Sequence, residues 1–187
     1  MRSAKYAFAQ ALARLLQTRT LDHITVTELV RECGTTRQAF YYHFDSIYGL
    51  LEWFYETEAE AMLANHKDRD TWQEGYRNIL HWMQNNHQLV VNSYRSVNRE
   101  YLESFTRKAI EPLFIDVMLG LSKGRQVNED DLWFITRFYT TALIALTLDW
   151  VSRGMTEPAD QLAERVEIVM KDTFSQALDK FEAHPHA

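Results

Sequence analysis

Residues 36–43, Thr-Arg-Gln-Ala-Phe-Tyr-Tyr-His, gather side chains that can hold a polyanion or read a base edge. Arginine forms paired hydrogen bonds with O6 and N7 of guanine, and glutamine with N6 and N7 of adenine. Tyrosine, threonine and histidine commonly hold phosphate oxygens. At helical spacing Ala39, Phe40 and Phe44 are suited to pack against neighbouring helices, while Thr36, Arg37, Gln38, Tyr41, Tyr42 and His43 supply the remaining surface with hydrogen-bonding groups. That surface can meet DNA. Taken alone, a Phe-Tyr-Tyr-His-Phe run more often belongs to an aromatic core, so the neighbouring elements decide.

Those elements predict a helix-turn-helix. Apolar residues recur at helical spacing over residues 4–17 (Ala7, Phe8, Ala11, Leu12, Leu15, Leu16), with Ser3 available as N-cap. After an interruption at 20–24, Thr25-Val26-Thr27-Glu28 forms a capping-box pattern that opens a short second helix ending at Cys33. Gly34 stands where a left-handed cap favours glycine, and Thr35 or Thr36 can cap a third helix running to about His43. Helix, glycine turn and helix within about twenty residues is the DNA-reading arrangement. A fourth helix begins after Asp45 or Ser46, carries Ile47, Leu50, Leu51, Phe54 and Tyr55, and turns polar through Glu56, Glu58 and Glu60; it is expected to link head to body.

The chain has 187 residues with only six glycines and three prolines, too few for the turns of an all-β architecture, so an all-α fold is expected. Further helices are read at roughly 70–86, 87–95, 98–120, 128–153 and 158–182, after a polar break at 65–70. The expected organisation is an N-terminal three-helix helix-turn-helix domain, 1–47, and a C-terminal helical bundle, 48–187, for dimerisation and signal sensing. Charge divides similarly. Residues 1–50 hold six basic and four acidic residues, and the remainder fourteen and twenty-two, within a net charge of -6. A mildly basic head on an acidic body suits DNA at one end only. Cys33, the single cysteine, excludes an intramolecular disulfide, and no signal-peptide pattern opens the chain. A cytoplasmic location is therefore expected, and the apolar run 142–148, far shorter than the ~20 residues of a membrane span, predicts no crossing.

Several groups invite chemistry without supporting it. Glu129, Asp130 and Asp131 begin a helix, where carboxylates meet the positive end of its dipole. His81 and His87 lack metal-ligand spacing, and His184 and His186 fall in a tail expected to be mobile, so no metal or other cofactor is expected. Cys33 reads as a small buried residue. No serine sits in a nucleophile elbow, and the chain is not expected to be an enzyme.

Ile24-Thr25-Val26-Thr27-Glu28-Leu29, Gly34, Thr36-Arg37, Phe40-Tyr41-Tyr42-His43-Phe44, Ser46 and Leu50-Leu51 resemble, in order and spacing, the DNA-binding domain of the TetR family of transcription regulators, over residues 4–52. The resemblance implies that the third helix is the recognition helix, with Thr36, Arg37 and Gln38 near bases and Thr25, Thr27, Tyr41, Tyr42 and His43 on the DNA backbone. One position departs: Ile47 stands where a lysine phosphate anchor often follows the serine. A scaffold that binds protein instead of DNA is the alternative reading.

In the body, Leu132, Ile135, Tyr139, Ala142, Leu143, Leu146 and Trp150 form one apolar stripe, with Trp133, Ile144, Leu148 and Val151 on the opposite side. A helix apolar over so much of its circumference is expected to be buried on two sides. With the last helix it resembles the pair that forms the family's four-helix dimer interface. Leu143, Leu146, Trp150, Val166, Met170, Phe174 and Leu178 are the expected interface residues of a homodimer. The resemblance also implies a ligand cavity, for which Trp72, Tyr76, Trp82, Met83, Tyr94, Phe105, Met118 and Tyr139 are candidates, although large residues at this spacing are more often plain core. Leu132-Trp133-Phe134-Ile135, Tyr139-Thr140-Thr141-Ala142 and Trp150-Val151-Ser152-Arg153-Gly154-Met155, together with Arg37-Gln38, resemble the dihydroxyacetone-kinase-regulator branch. Members of that branch can act with a protein co-regulator in place of a free small-molecule effector.

Overall fold

The computed structural model describes residues 4–64 and 71–184, and every regular element among them is helical. Ser3, the polar stretch 65–70 and His186 lie outside the described residues. The head contains α1 (Ala4–Leu16), a 3-10 turn (Leu21–His23), α2 (Val26–Glu32) and α3 (Arg37–Tyr41). Phe8, Leu12 and Leu16 of α1 are buried with Leu29 of α2 and Phe40 of α3. Phe8 meets the Phe40 ring edge to face at 5.3 Å, and Phe44 closes the group at 5.8 Å from Phe40.

Local chemistry sets these boundaries. The Thr25 hydroxyl accepts from the Glu28 backbone N–H while the Glu28 carboxylate accepts from the Thr25 N–H, a complete capping box. At the other end of α2, Gly34 has φ +61°, its N–H bonds the Arg31 carbonyl, and the Thr35 N–H bonds that of Val30. This Schellman closure turns the chain sharply, and a side chain at Gly34 would be strained by the backbone conformation alone. Ser46 caps α4 (Ile47–Leu63) by accepting from the Gly49 N–H.

The body comprises α5 (Trp72–Asn85), α6 (His87–Ser96), α7 (Arg99–Ser122), α8 (Glu129–Ser152), α9 (Ala159–Met170) and α10 (Thr173–Ala183). α7 and α8 lie along one another, α4 packs on α7, and α5 packs on α9. The expected single helix over 158–182 is two helices, because Asp172 adopts a left-handed φ of +59° between α9 and α10. No glycine or proline marks that break. The bend lets Phe174 enter the core, where it meets Trp72, Phe114 and Tyr139 at 5.4, 6.0 and 4.6 Å.

Two sets of contacts tie head to body. Glu52 of α4 accepts from Tyr101 and Lys108 of α7 at 3.1 and 2.5 Å. On α6, buried Asn92 donates to the Leu16 carbonyl at 2.8 Å, and the Ser96 hydroxyl accepts from the Leu21 N–H at 2.7 Å. No helix among the described residues is long and apolar enough to cross a membrane.

Candidate nucleic-acid interface and interior cavity

The third helix is shorter than its sequence pattern. Thr36 is its N-cap, accepting from the Ala39 N–H at 3.2 Å, and Tyr42 and His43 follow in a turn. The shortening leaves the expected surface open. Thr36, Arg37, Gln38, Tyr41 and Tyr42 are exposed, Tyr42 at 84% and Tyr41 at 47%, while Phe40 beneath them is fully buried. Arg37 lies over the Tyr41 ring, 5.9 Å from its centroid, with its guanidinium 3.5 Å from the phenol oxygen. His43 is half-buried, wedged edge-on against Tyr42 at 4.9 Å. Thr25 and Thr27, at the start of α2, are exposed.

Charge on the head is partly committed to internal pairs. Arg14 pairs with Glu32 at 3.3 Å and Arg19 with Glu28 at 2.9 Å, while the Lys5 ammonium lies over the Phe44 and Trp53 rings. Arg37 and Arg31 make no ion pair among the described residues. Of these two, Arg37 is the one on α3. Ile47, where the family often carries lysine, is half-buried against the core. Cys33 is half-buried, its thiol donating toward the Ala7 carbonyl at 3.5 Å, and burial raises its pKa above the ordinary thiol value.

A cavity of about 80 Å³ lies inside the body between α4, α5, α6, α7 and α8. Its aromatic walls are Tyr55, Trp82, Tyr94 and Phe105, with Met62 and Met83 beside them. Trp82, Met83, Tyr94 and Phe105 were legible as candidates. Four other candidates sit elsewhere. Trp72 and Tyr139 pack around Phe174, with Trp72 lining a separate opening of about 280 Å³ beside α9, Met118 is fully buried core, and Tyr76 is buried with its hydroxyl 3.0 Å from that of Thr147. Burial pushes the Tyr76 phenol up to about 12. Large size at helical spacing does not distinguish a cavity wall from a filled core. The reading also missed the α4 contribution, Tyr55, Glu58, Ala59 and Met62, although their i, i+3, i+4, i+7 spacing marks a single face.

The expected dimer residues need the same correction. Leu143, Trp150, Val166, Met170, Phe174 and Leu178 are buried within their own chain, so only Leu146, 48% exposed, is available to a partner. The exposed apolar face of α8 is Phe134, Phe138, Ala142, Ala145 and Leu146, flanked by Trp133, and α9 adds Ile168 and Val169. Most of the stripe chosen from sequence, Ile135, Leu143 and Trp150 among it, faces the inner side of α8, while Ala142 and Leu146 face outward. Both sides are apolar, and periodicity alone does not say which side the chain covers itself.

The polar groups set aside above have structural partners. Asn128 caps α8 by accepting from the Asp131 N–H at 2.7 Å, placing Glu129, Asp130 and Asp131 in the first turn. His81 lies 2.9 Å from Asp160, and His87 3.0 Å from the Gly154 carbonyl.

Residues 9–53 match the family described as bacterial regulatory proteins, tetR family, and residues 70–172 match one described as transcriptional regulator C-terminal region. The chain is 25% identical over 148 residues to the HTH-type dhaKLM operon transcriptional activator DhaS of Lactococcus lactis subsp. lactis (strain IL1403), covering 78% of each protein. It is 26% identical over 146 residues to the HTH-type transcriptional regulator AlkX of Mycobacterium tuberculosis (strain ATCC 25618 / H37Rv), covering 76% of this chain and 61% of that protein. The solved structure of a dihydroxyacetone kinase operon activator DhaS aligns with a TM-score of 0.67 and 19% identity over 94% of this chain and 96% of that one, a likeness of fold.

Proposed function

Because the chain belongs to the TetR family of DNA-binding transcription regulators, which are not enzymes, we propose that it works as a homodimer on a near-palindromic operator under the control of an effector sensed in the body. Thr36, Arg37 and Gln38 approach base edges in the major groove, and Thr25, Thr27, Tyr41, Tyr42 and His43 hold the flanking phosphates. The observation that carries this reading is the open edge of α3, where Arg37 is steered by Tyr41 and free of any acidic partner among the described residues. The exposed apolar face of α8, with Ile168 and Val169 of α9, is the proposed dimer surface. Two copies joined there present two third helices to successive major grooves, so that each half-site contact reinforces the other. Effector binding shifts the spacing of the heads only by its difference in affinity for the two arrangements. The relative DhaS is named an activator.

Selection from a randomised duplex library, followed by titration of the selected site at several salt concentrations, tests the reading. A sequence preference is expected, with affinity falling as salt rises. Arg37→Ala is expected to cost roughly 1–3 kcal/mol and relax the preference, whereas Tyr41→Phe weakens all sequences alike. Enrichment of no sequence, with equal binding to every duplex at low salt, would favour the protein-binding scaffold.

A further inference from the structure

An exposed arginine loses rotamer freedom when it makes a base contact, because its long side chain must settle into one presentation of the guanidinium fork. On α3 that freedom is already limited. Tyr41, one helical turn after Arg37, lies with its ring centroid 5.9 Å from the guanidinium carbon, and a guanidinium nitrogen donates to the phenol oxygen at 3.5 Å. Arg14 and Arg19 are held differently, by the carboxylates of Glu32 and Glu28. A carboxylate occupies the same guanidinium edge that O6 and N7 of guanine require, whereas the Tyr41 ring leaves most of the five N–H donors open.

The ring is itself seated on the core. It meets Phe40 edge to face at 5.4 Å and 86°, Phe40 is fully buried, and Phe40 meets Phe8 of α1 in the same manner at 5.3 Å. Three rings thus connect the interior of the head to Arg37. A contact residue supported by packed neighbours holds its geometry better than one that moves freely in solvent.

We propose that Tyr41 is the positioning residue for Arg37: its ring arranges the guanidinium before DNA arrives and thereby sets discrimination at the base pair that Arg37 reads. The ordering cost falls only on the complex in which Arg37 makes its base contact. Lowering it strengthens binding to the preferred base pair and leaves the others where they were. This deepens the proposed function, resting on the reading of α3 as the base-contacting element, and it gives one side chain two roles, the ring for specificity and the hydroxyl for phosphate.

The test is competition titration of the full chain against two duplexes, the selected site and the same site with one base pair replaced, that pair being the one whose preference Arg37→Ala relaxes. Tyr41→Phe and Tyr41→Trp keep a ring face, so both are expected to bind the two duplexes more weakly while preserving the native ratio of affinities. Tyr41→Leu is expected to lower that ratio about two- to fivefold, the strength of one exposed cation–π contact. In an Arg37→Ala background the same substitution leaves the ratio unchanged, because no guanidinium remains to be positioned. A native ratio in Tyr41→Leu, or an equal fall with and without Arg37, overturns the proposal. In the unaltered chain without DNA, the Arg37 guanidinium protons are expected to show nuclear magnetic resonance shifts displaced by the Tyr41 ring current; shifts equal to those of free arginine overturn it even where a variant fails to fold. Failure of the underlying reading looks different: Arg37→Ala then relaxes no base pair, and the positioning role falls with it.

Discussion

Glu28 is among the most heavily hydrogen-bonded side chains of the head. It accepts from the Thr25 backbone N–H, the Thr25 hydroxyl and Arg19, each at 2.9 Å. The backbone hydrogen bond foremost, then the hydroxyl and the guanidinium, hold its pKa below the usual glutamate value of 4.5. For a carboxylate with a depressed folded pKa, the stabilisation is fully present above the unfolded pKa and disappears as pH falls through the folded one. Glu28→Gln is therefore expected to melt below the native protein at neutral pH, with the gap closing as pH drops from about 4.5 toward the folded pKa. Melting temperatures across that range check this, and a gap independent of pH would show that the carboxylate charge contributes nothing. Thr25 with Glu28, and Gly34, were legible because capping and left-handed turns are written within a few adjacent residues. The place of Tyr55 and Met62 in the cavity wall was not, since it depends on which side chains four other helices bring opposite them.

Among the elements, α6 faces both ways. Val90, Ser93 and Tyr94 line the cavity, while Asn92 and Ser96 hold the end of α1 and the turn after it. Asn92 is buried, accepts from Gln88 at 3.0 Å and covers the Leu16 carbonyl, one of the unpaired acceptors at the end of α1. Asn92→Ala leaves that carbonyl without its partner and is expected to cost roughly 1–3 kcal/mol in denaturant unfolding. A loss below about 0.5 kcal/mol would mean that water takes over the bond and that α6 does not grip the head through Asn92. Helix periodicity gave the positions of α5 through α8 closely, as expected where amphipathic patterns are long and end at asparagine caps or glycine. It failed at Asp172, where the left-handed residue is neither glycine nor proline and the fold, by seating Phe174 in the core, sustains the bend. It also treated α4 as a linker, although one face of that helix walls the cavity.

For the whole molecule, the question is which apolar surface belongs to the chain and which to a second copy. α8 is apolar on both sides. The inner side, with Ile135, Leu143 and Ile144, is sealed by the protomer, while Phe134 and Phe138 on the outer side are 59% and 62% exposed. A monomer that left this face in water would display an apolar patch of the kind that marks an interaction site. Substitutions on the two sides therefore separate core from interface. Leu143→Ala is expected to lower stability by about 2–5 kcal/mol without altering the oligomeric mass, because it opens a cavity inside one chain. Phe138→Glu is expected to leave the fold of each chain intact and to bring the sedimenting mass down to that of a single chain, because it sets a charge against its own symmetry mate in an apolar interface. DNA affinity for a two-half-site operator should then fall by about 10²- to 10⁴-fold, the gain that linkage gives to paired weak contacts, while affinity for an isolated half-site stays unchanged. A Phe138→Glu protein that keeps its native mass and its full operator affinity would remove α8 from the interface, and the pairing of the heads would then have to be carried by some other surface.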